Sequence, residues 1–306
     1  MPSNDNRLEL LLLGRPIIRR DGRELSEAPP LKSQALLFYL AATGQPDTRE
    51  TLAALFWGDM PESAARANLR LALSRLRKVV GDCLIQDRQT VAFDSEQDAW
   101  VDVTAFVQTL HGGRTHSADA LRTATNLYRG EFLAGFSTPD APDFETWVIT
   151  EREWFHQLML AGLRELLAAD RADRQETEAI NVARRMLEIA PWCEEAHQDL
   201  MEMLAQSGQR SAALTQYDIC RRMLDEELGV PPSAMTERLR AQIVDGTLAA
   251  SDRRRIEAVD DLSAPNGLSA APVERRSASR TSRASAVLTR STLMLRRGNV
   301  WTVAGS

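Results

Sequence analysis

The spacing of apolar positions changes character along this chain of 306 residues. From Leu8 to Leu25, in LELLLLGRPIIRRDGREL, they come in short clusters broken by Gly14-Arg15-Pro16 and Asp21-Gly22, which predicts a small sheet of short strands and tight turns. From Leu31 the spacing turns helical. Pro29-Pro30 opens LKSQALLFYLAATG, where Leu36, Leu37, Tyr39 and Leu40 form a buried stripe and Gly44 lies just past the end. Asp47 or Thr48 caps a second helix, TRETLAALFW, which Gly58 stops. Asp59 and Pro61 suit the cap and first turn of a third, ESAARANLRLALSRLRKVV, which Gly81 ends. Strand spacing then returns: CLIQ and TVAF flank Asp87-Arg88-Gln89 as a hairpin, and VDV after Trp100 predicts one more short strand.

Strand signals disappear after Val103, and the chain is helix-periodic to about residue 248, so a boundary is expected between Asp102 and Phe106. Within this half a pattern recurs every 34 residues. Leu163, Leu167, Ala179, Ala183 and Met186 align with His197, Met201, Ala213, Tyr217 and Cys220, and Gly208 falls at the inter-helix turn. That period is the one of tetratricopeptide repeats, in which stacked helix pairs bury a continuous core. Asp225 departs from the pattern where proline is usual, and the aromatic-rich stretch from Asp119 to Phe155 is a candidate third copy. From Ser251 on, Arg, Ser, Ala and Pro alternate without periodicity, a composition expected to be disordered, although STLMLRRGNVWTVAGS at its end suits a short strand. The expected fold is mainly α, an N-terminal winged helix-turn-helix of α+β type followed by an all-α TPR-like repeat domain. The expected divisions are a winged-helix domain at 1–104, a TPR-like helical domain at 105–248 and a tail at 249–306.

The third helix carries the candidate chemistry. At about 100 degrees per residue, Ala65, Leu69, Ala72, Leu73, Leu76 and Val80 share a core-facing arc. The opposite arc holds Arg66, Asn68, Arg70, Ser74, Arg75, Arg77 and Lys78, with Ala67 and Leu71 its only apolar members. Arg pairs bidentately with guanine, Asn with adenine, and small or apolar side chains meet a thymine methyl in a DNA major groove. A solvated face is the competing reading of several arginines on one helix. Position in the chain favours DNA, since a basic third helix between two short helices and a hairpin is the order of a winged helix, with Lys32 and Arg88 as phosphate contacts.

Charge changes the picture only locally. The net charge is −6, and residues 1–104 hold 13 basic and 15 acidic side chains, whereas 251–306 hold 10 Arg against five acids. A wholesale nucleic-acid coat is excluded, because counterion release needs a local cationic surplus. Cys83, Cys193 and Cys220 lack the spacing of a disulfide framework or zinc site. No phosphate-binding glycine loop, HExxH or GxSxG marks an enzyme, so neither catalytic residues nor a cofactor nor a metal is expected. His111 and His116 read as loop histidines, and the carboxylates of 143–202 as exposed solvating groups. Trp147, Trp154, Phe155, Trp192 and Tyr217 are candidates for a partner groove or, more simply, for core. Without a long apolar run or an apolar leader, a cytoplasmic protein with no membrane contact is expected.

A set of segments carries a specific resemblance: LLGRPIIRRDGREL, LKSQALLFYLA, TRETLAALFW, ARANLRLALSRLRKVVGD, LYRGEFLAGF, FETWVITERE and AHQDLMEMLAQSGQRSAALTQYDICRRMLDEELGVPPS ahead of LRAQI. Over roughly residues 8–246 the chain resembles the bacterial transcriptional activator domain family, of the SARP or antibiotic regulatory protein type. The resemblance implies an OmpR-like winged helix, a fold related to phosphorelay regulators, with the third helix (Ala64 to Val80) as recognition helix and the turn Asp87 to Gln89 as wing. It further implies binding to direct repeats in promoter DNA as paired subunits, and contact with RNA polymerase. Large relatives continue into an ATPase or sensory module, and the absence of a Walker loop here implies no nucleotide-driven control within this chain. The alternative function is a TPR-type adaptor that signals through protein contacts without binding DNA.

Overall fold

The computed structural model describes residues 7–25, 27–94, 98–111, 116–248, 294–297 and 300–303. Two compact units are separated between Ala258 and Val259.

In the first unit, β1 (Leu8–Leu11) pairs antiparallel with β2 (Ile17–Arg20), which pairs with β3 (Arg23–Glu24). Period-two alternation sets the faces, with Leu8, Leu10 and Ile18 inward. Three helices follow: α1 (Leu31–Thr43), α2 (Arg49–Trp57) and α3 (Glu62–Val80). The Thr48 hydroxyl caps α2 by accepting from the Thr51 N–H at 3.0 Å. Pro61 occupies the N-cap position of α3, with its ring fixing φ near the helical entry. Between α1 and α2 lies β4 (Asp47–Thr48), too short to leave a periodic trace in the sequence. After a 3-10 turn at Gly81–Cys83, β5 (Leu84–Gln86) and β6 (Thr90–Phe93) form the expected hairpin, and β6 also takes up β4, giving the order β4-β6-β5. β7 (Ala99–Val101) runs parallel to β1, with Leu10 opposite Val101, and closes the other sheet as β3-β2-β1-β7. The strand after Trp100 therefore includes it and ends two residues earlier than VDV, because Asp102 already begins a helix.

The rest of this unit is helical: α4 (Asp102–His111), α5 (Ala118–Leu127), α6 (Pro142–Ala172), α7 (Glu176–Ile189), α8 (Glu194–Gln206), α9 (Arg210–Leu228) and α10 (Ala234–Asp245). All ten positions of the 34-residue alignment are buried. Helices α6–α7 and α8–α9 form the two aligned hairpins, and their turns show the same backbone demand. Gly208 has φ +80°, and Arg174, 34 residues earlier, has φ +56°. A left-handed residue is needed there, and the first copy meets the demand with a side chain that disfavours it. The additional hairpin is α4–α5 rather than the stretch 119–155, which runs from α5 through an irregular connector into α6. Leu133 at φ +51° and Gly135 at φ +72° break any helical spacing in that connector.

The sheet and the helical array share one hydrophobic core. Phe132 of the connector forms β-bridges with Leu13 and Gly14 and packs its ring 5.7 Å from Trp147 and 5.0 Å from Phe155. Glycine suits position 14 because its φ of +120° strains any residue with a Cβ, and that Cβ would also press on the Cβ of Arg129 at 3.2 Å. Asp102 is fully buried, and its carboxylate accepts from the Leu12 N–H at 2.7 Å and the Leu13 N–H at 3.0 Å, beside Arg129 at 3.5 Å. Burial pushes its carboxyl up, against the downward pull of those N–H groups and of Arg129. Phe56 of α2 lies 5.1 Å from Phe144 of α6, and Tyr39 of α1 lies 4.8 Å from Trp147. Phe155 and Tyr217 are core, Trp147 and Trp154 are half-buried against it, and Trp192 is exposed.

Two expectations about charged groups need correction. The carboxylates of 143–202 are not uniformly solvated: Glu151 and Asp170 are buried, Asp170 under the Arg122 guanidinium at 2.8 Å, which offsets the desolvation that would otherwise exclude it. Lys32 does not reach toward a phosphate site. Its ammonium donates to the carbonyls of Phe56 at 3.0 Å and Asp140 at 2.9 Å, and lies over the Trp57 ring.

In the second unit, Met294–Arg297 (β8) and Val300–Val303 (β9) pair antiparallel. The rest of the Arg/Ser-rich tail expected from Ser251 lies outside the described residues. Among the described residues no helix is long and apolar enough to cross a membrane.

Candidate nucleic-acid interface

Helix α3 holds the candidate residues together because its inner arc is anchored so completely. Ala65, Leu69, Ala72, Leu73, Leu76 and Val80, the arc predicted from the wheel, are the buried positions of the helix. That anchorage fixes the rotation of α3, and with it the direction of every outer side chain.

The outer surface resolves into three lines. Arg66, Arg70 and Arg77 run along one edge and, with Ser74, face a cleft of about 1240 Å³. Its other walls are Thr48, Arg49 and Glu50 at the start of α2, and Gln86 to Gln89 in the β5–β6 turn. Ala67, Leu71, Ser74 and Lys78 form the crest opposite the core, all exposed. Asn68 and Arg75 lie along the far edge, outside the cleft. The structure thus brings Arg66, Arg70, Ser74, Arg77 and Arg88 around one concavity, whereas Asn68, Arg75 and Lys78 address other directions. Asn68 is half-buried, with its amide 3.2 Å from the Met60 sulfur.

Most of these cations are uncommitted. Arg66 pairs with Glu62 one turn earlier, an exposed i,i+4 pair. Among the described residues, Arg70, Arg75, Arg77, Lys78 and Arg88 make neither an ion pair nor a side-chain hydrogen bond. Arg77 and Lys78 also stand in the last turn of α3, where positive charge complements the helix dipole by about 0.3–1 kcal/mol. That role accounts for the end of the helix and not for Arg70 or Arg88.

The turn beside the helix is internally braced. The Asp87 carboxylate accepts from the N–H groups of Gln89 and Thr90, each at 2.6 Å, and from the Thr90 hydroxyl at 2.7 Å. The Thr90 N–H and hydroxyl, and then the Gln89 N–H, hold its carboxyl below the usual range, so it stays ionised as a turn-forming acceptor. Arg49 ties this turn to α2: its Nε donates to the Asp87 carbonyl at 3.1 Å, its Nη2 to Gln86 Oε1 at 3.3 Å, and its backbone N–H to the Gln89 carbonyl at 2.8 Å. The turn is thereby fixed to α2, with Arg88 at its exposed tip. Sequence reasoning missed Arg49; the two-residue strand β4, which aligns α2 with the hairpin, leaves no local signal for it.

Residues 101–244 match the family model of the bacterial transcriptional activator domain. Over 234 residues the chain is 30% identical to the regulatory protein AfsR of Streptomyces coelicolor, covering 74% of this chain and 23% of that one. Against AfsR of Streptomyces griseus the identity is 30% over 253 residues, covering 80% and 25%. Against the transcriptional regulator RedD of Streptomyces coelicolor it is 25% over 203 residues, covering 61% and 56%. The chain therefore spans about a quarter of the length of the AfsR proteins. The fold resembles that of Mycobacterium tuberculosis EmbR, solved in complex with a low affinity phosphopeptide, with a TM-score of 0.58 and 21% identity over 83% of this chain and 71% of that one. The helical array of α4 to α10 is the part that the family model describes, and the alignments to AfsR and RedD reach beyond it; residues 101–244 are a bacterial transcriptional activator domain, carried by a chain that is a distant homologue of the AfsR and RedD regulators.

Proposed function

We propose that the protein is a sequence-specific activator that binds promoter DNA through α3 and the β5–β6 wing. The observation that carries this reading is the exposed cationic face of α3 beside a braced turn, with Arg70, Arg77 and Arg88 around one cleft and no internal partner for any of them among the described residues. Arg66, Asn68, Arg70, Ser74, Arg75, Arg77, Lys78 and Arg88 are the proposed DNA contacts. Arg66, Arg70, Arg77 and the crest of α3 address the groove, while Arg88 and the far edge address flanking phosphates. Residues 1–104 act as the DNA-binding domain, 105–248 as the activator domain that pairs two copies on DNA or contacts RNA polymerase, and 249–306 as an appended tail. The reading places the protein in the cytoplasm.

The test is selection of duplex DNA from genomic fragments at physiological salt. A short direct repeat is expected, with an affinity that falls steeply as salt rises and is lost when Arg70 and Arg75 become Ala. Recovery of random fragments, or an unchanged footprint from that variant, overturns the assignment.

One observation favours the rival reading, an adaptor that works through its repeats. Ile149 and Trp192 are exposed beside a cleft of about 550 Å³ lined also by Tyr128, Arg152 and His156. An adaptor shows protein partners and no duplex binding at any salt concentration.

A further inference from the structure

Helix α3 turns almost every apolar side chain inward. The exception is on its crest, where Leu71 is 50% exposed and Ala67 stands one turn before it. A lone exposed leucine is ordinary on a protein surface, but the placement of this one is specific. It lies opposite the buried arc, and so at the greatest reach of the helix from the core. Ala67 and Ser74, its neighbours along the crest, are too short to shield it. Arg66, Arg70 and Arg77 border it on one side and Arg75 on the other. Among the described residues nothing covers it, and solvation alone favours a charged residue at such a position.

We infer that Leu71 is a specificity-determining contact that reads the C5-methyl of a thymine in the major groove. This rests on the DNA-binding reading above and adds a base to it. When α3 lies along a major groove, the crest faces the base edges, with the cleft-lining arginines of α3 beside it in the groove and the far edge toward the flanking phosphates. The thymine methyl is the one apolar group that a base pair presents there. Leu71 meets it as a hydrocarbon contact, and Ala67, one turn toward the helix N-terminus, leaves room for the approach. The preferred duplex thus carries a thymine at the position under the middle of α3, and its recognition is insensitive to salt, unlike the arginine contacts.

The test uses the full chain and the duplex that it enriches from a random-sequence pool. Each thymine of that duplex is replaced in turn by deoxyuridine, which removes only the methyl. In the wild type one such replacement is expected to weaken binding about fourfold, the factor for one buried carbon. The penalty disappears in Leu71→Ala and persists in Leu71→Met, which keeps the apolar reach; both residues are strong helix formers, so the fold is retained. Sequence-specific binding with no methyl-sensitive thymine, or with an equal penalty in Leu71→Ala, overturns the role of Leu71 and leaves the DNA-binding reading standing. No enrichment of any duplex overturns both.

Discussion

Arginines are used in opposite ways in the two halves of the first unit. In the helical array several are consumed by the fold. Arg122 bridges Asp170 and Glu178, Arg171 bridges Asp199 and Glu202, Arg152 donates to the carbonyls of Phe132 and Leu133, and Arg185 donates to those of Thr125 and Tyr128. On α3 they point outward, and Arg70, Arg75 and Arg77 leave their hydrogen-bond capacity unspent. A guanidinium with carbonyl or carboxylate partners inside the protein is holding helices together. One without such partners, on a helix whose rotation is fixed by six buried residues, is free to recognise something else.

The sharpest way to break this contrast is to attack the core that the two halves share. Phe132→Ala is expected to cost about 3–5 kcal/mol in a urea titration. Wild type and variant should each show one transition, superimposed by circular dichroism and tryptophan fluorescence. Two separated transitions would mean that the sheet and the helices are independent, and that their arginines need not be compared as parts of one body.

A paired experiment sharpens the comparison directly. Arg70→Ala with Arg77→Ala should weaken the selected duplex by about 100-fold, at the lower end for two base or phosphate contacts, with no stability loss beyond the about 0.3–1 kcal/mol that Arg77 contributes at the helix end. Arg185→Ala should do the reverse, costing about 1–3 kcal/mol through the orphaned Thr125 and Tyr128 carbonyls while the folded fraction binds DNA normally. A larger stability loss from the α3 pair would place those arginines with the structural ones.

Two smaller effects probe the repeats. His197 is buried, with its Nε2 2.8 Å from the Pro191 carbonyl and its Nδ1 beside Gln216, and burial holds its pKa below the ordinary 6.5. The unfolded chain therefore takes up the proton first. The neutral ring's contribution is complete above pH 6.5 and is lost as the pH falls below it. A urea series from pH 7.5 to 5.5 should show that decline, with a shallower slope in His197→Gln. Gly208→Ala, at φ +80°, should cost about 1 kcal/mol, seen as a small fall in the thermal midpoint.

The sequence made legible whatever repeats locally. The wheel of α3 placed all six buried residues, the hairpin around Asp87 was marked by its turn, and the 34-residue period located the helix pairs. Contacts between distant segments were not legible. Lys32 looked like a phosphate ligand because nothing near it in sequence announces the carbonyls of Phe56 and Asp140. Asp102 looked like a boundary residue, although its carboxylate binds Leu12 and Leu13 some 90 positions away. The candidate site was legible as a list and not as a geometry: periodicity gathered Asn68 and Arg75 with Arg70 and Arg77, and only the packing of α3 against the wing separates the cleft-lining set from the far edge.

The stitching of β1 to the helical array, by β7 alongside it and by Asp102 and Phe132 at its end, leaves no swivel between the surface proposed to read DNA and the surface proposed to pair two copies. Such a body measures DNA as a ruler does. Two copies in contact can occupy only sites whose separation returns both to the same side of the duplex, about 10.5 base pairs per turn. Inserting five base pairs between the repeats should abolish joint occupancy, and inserting ten should recover part of it.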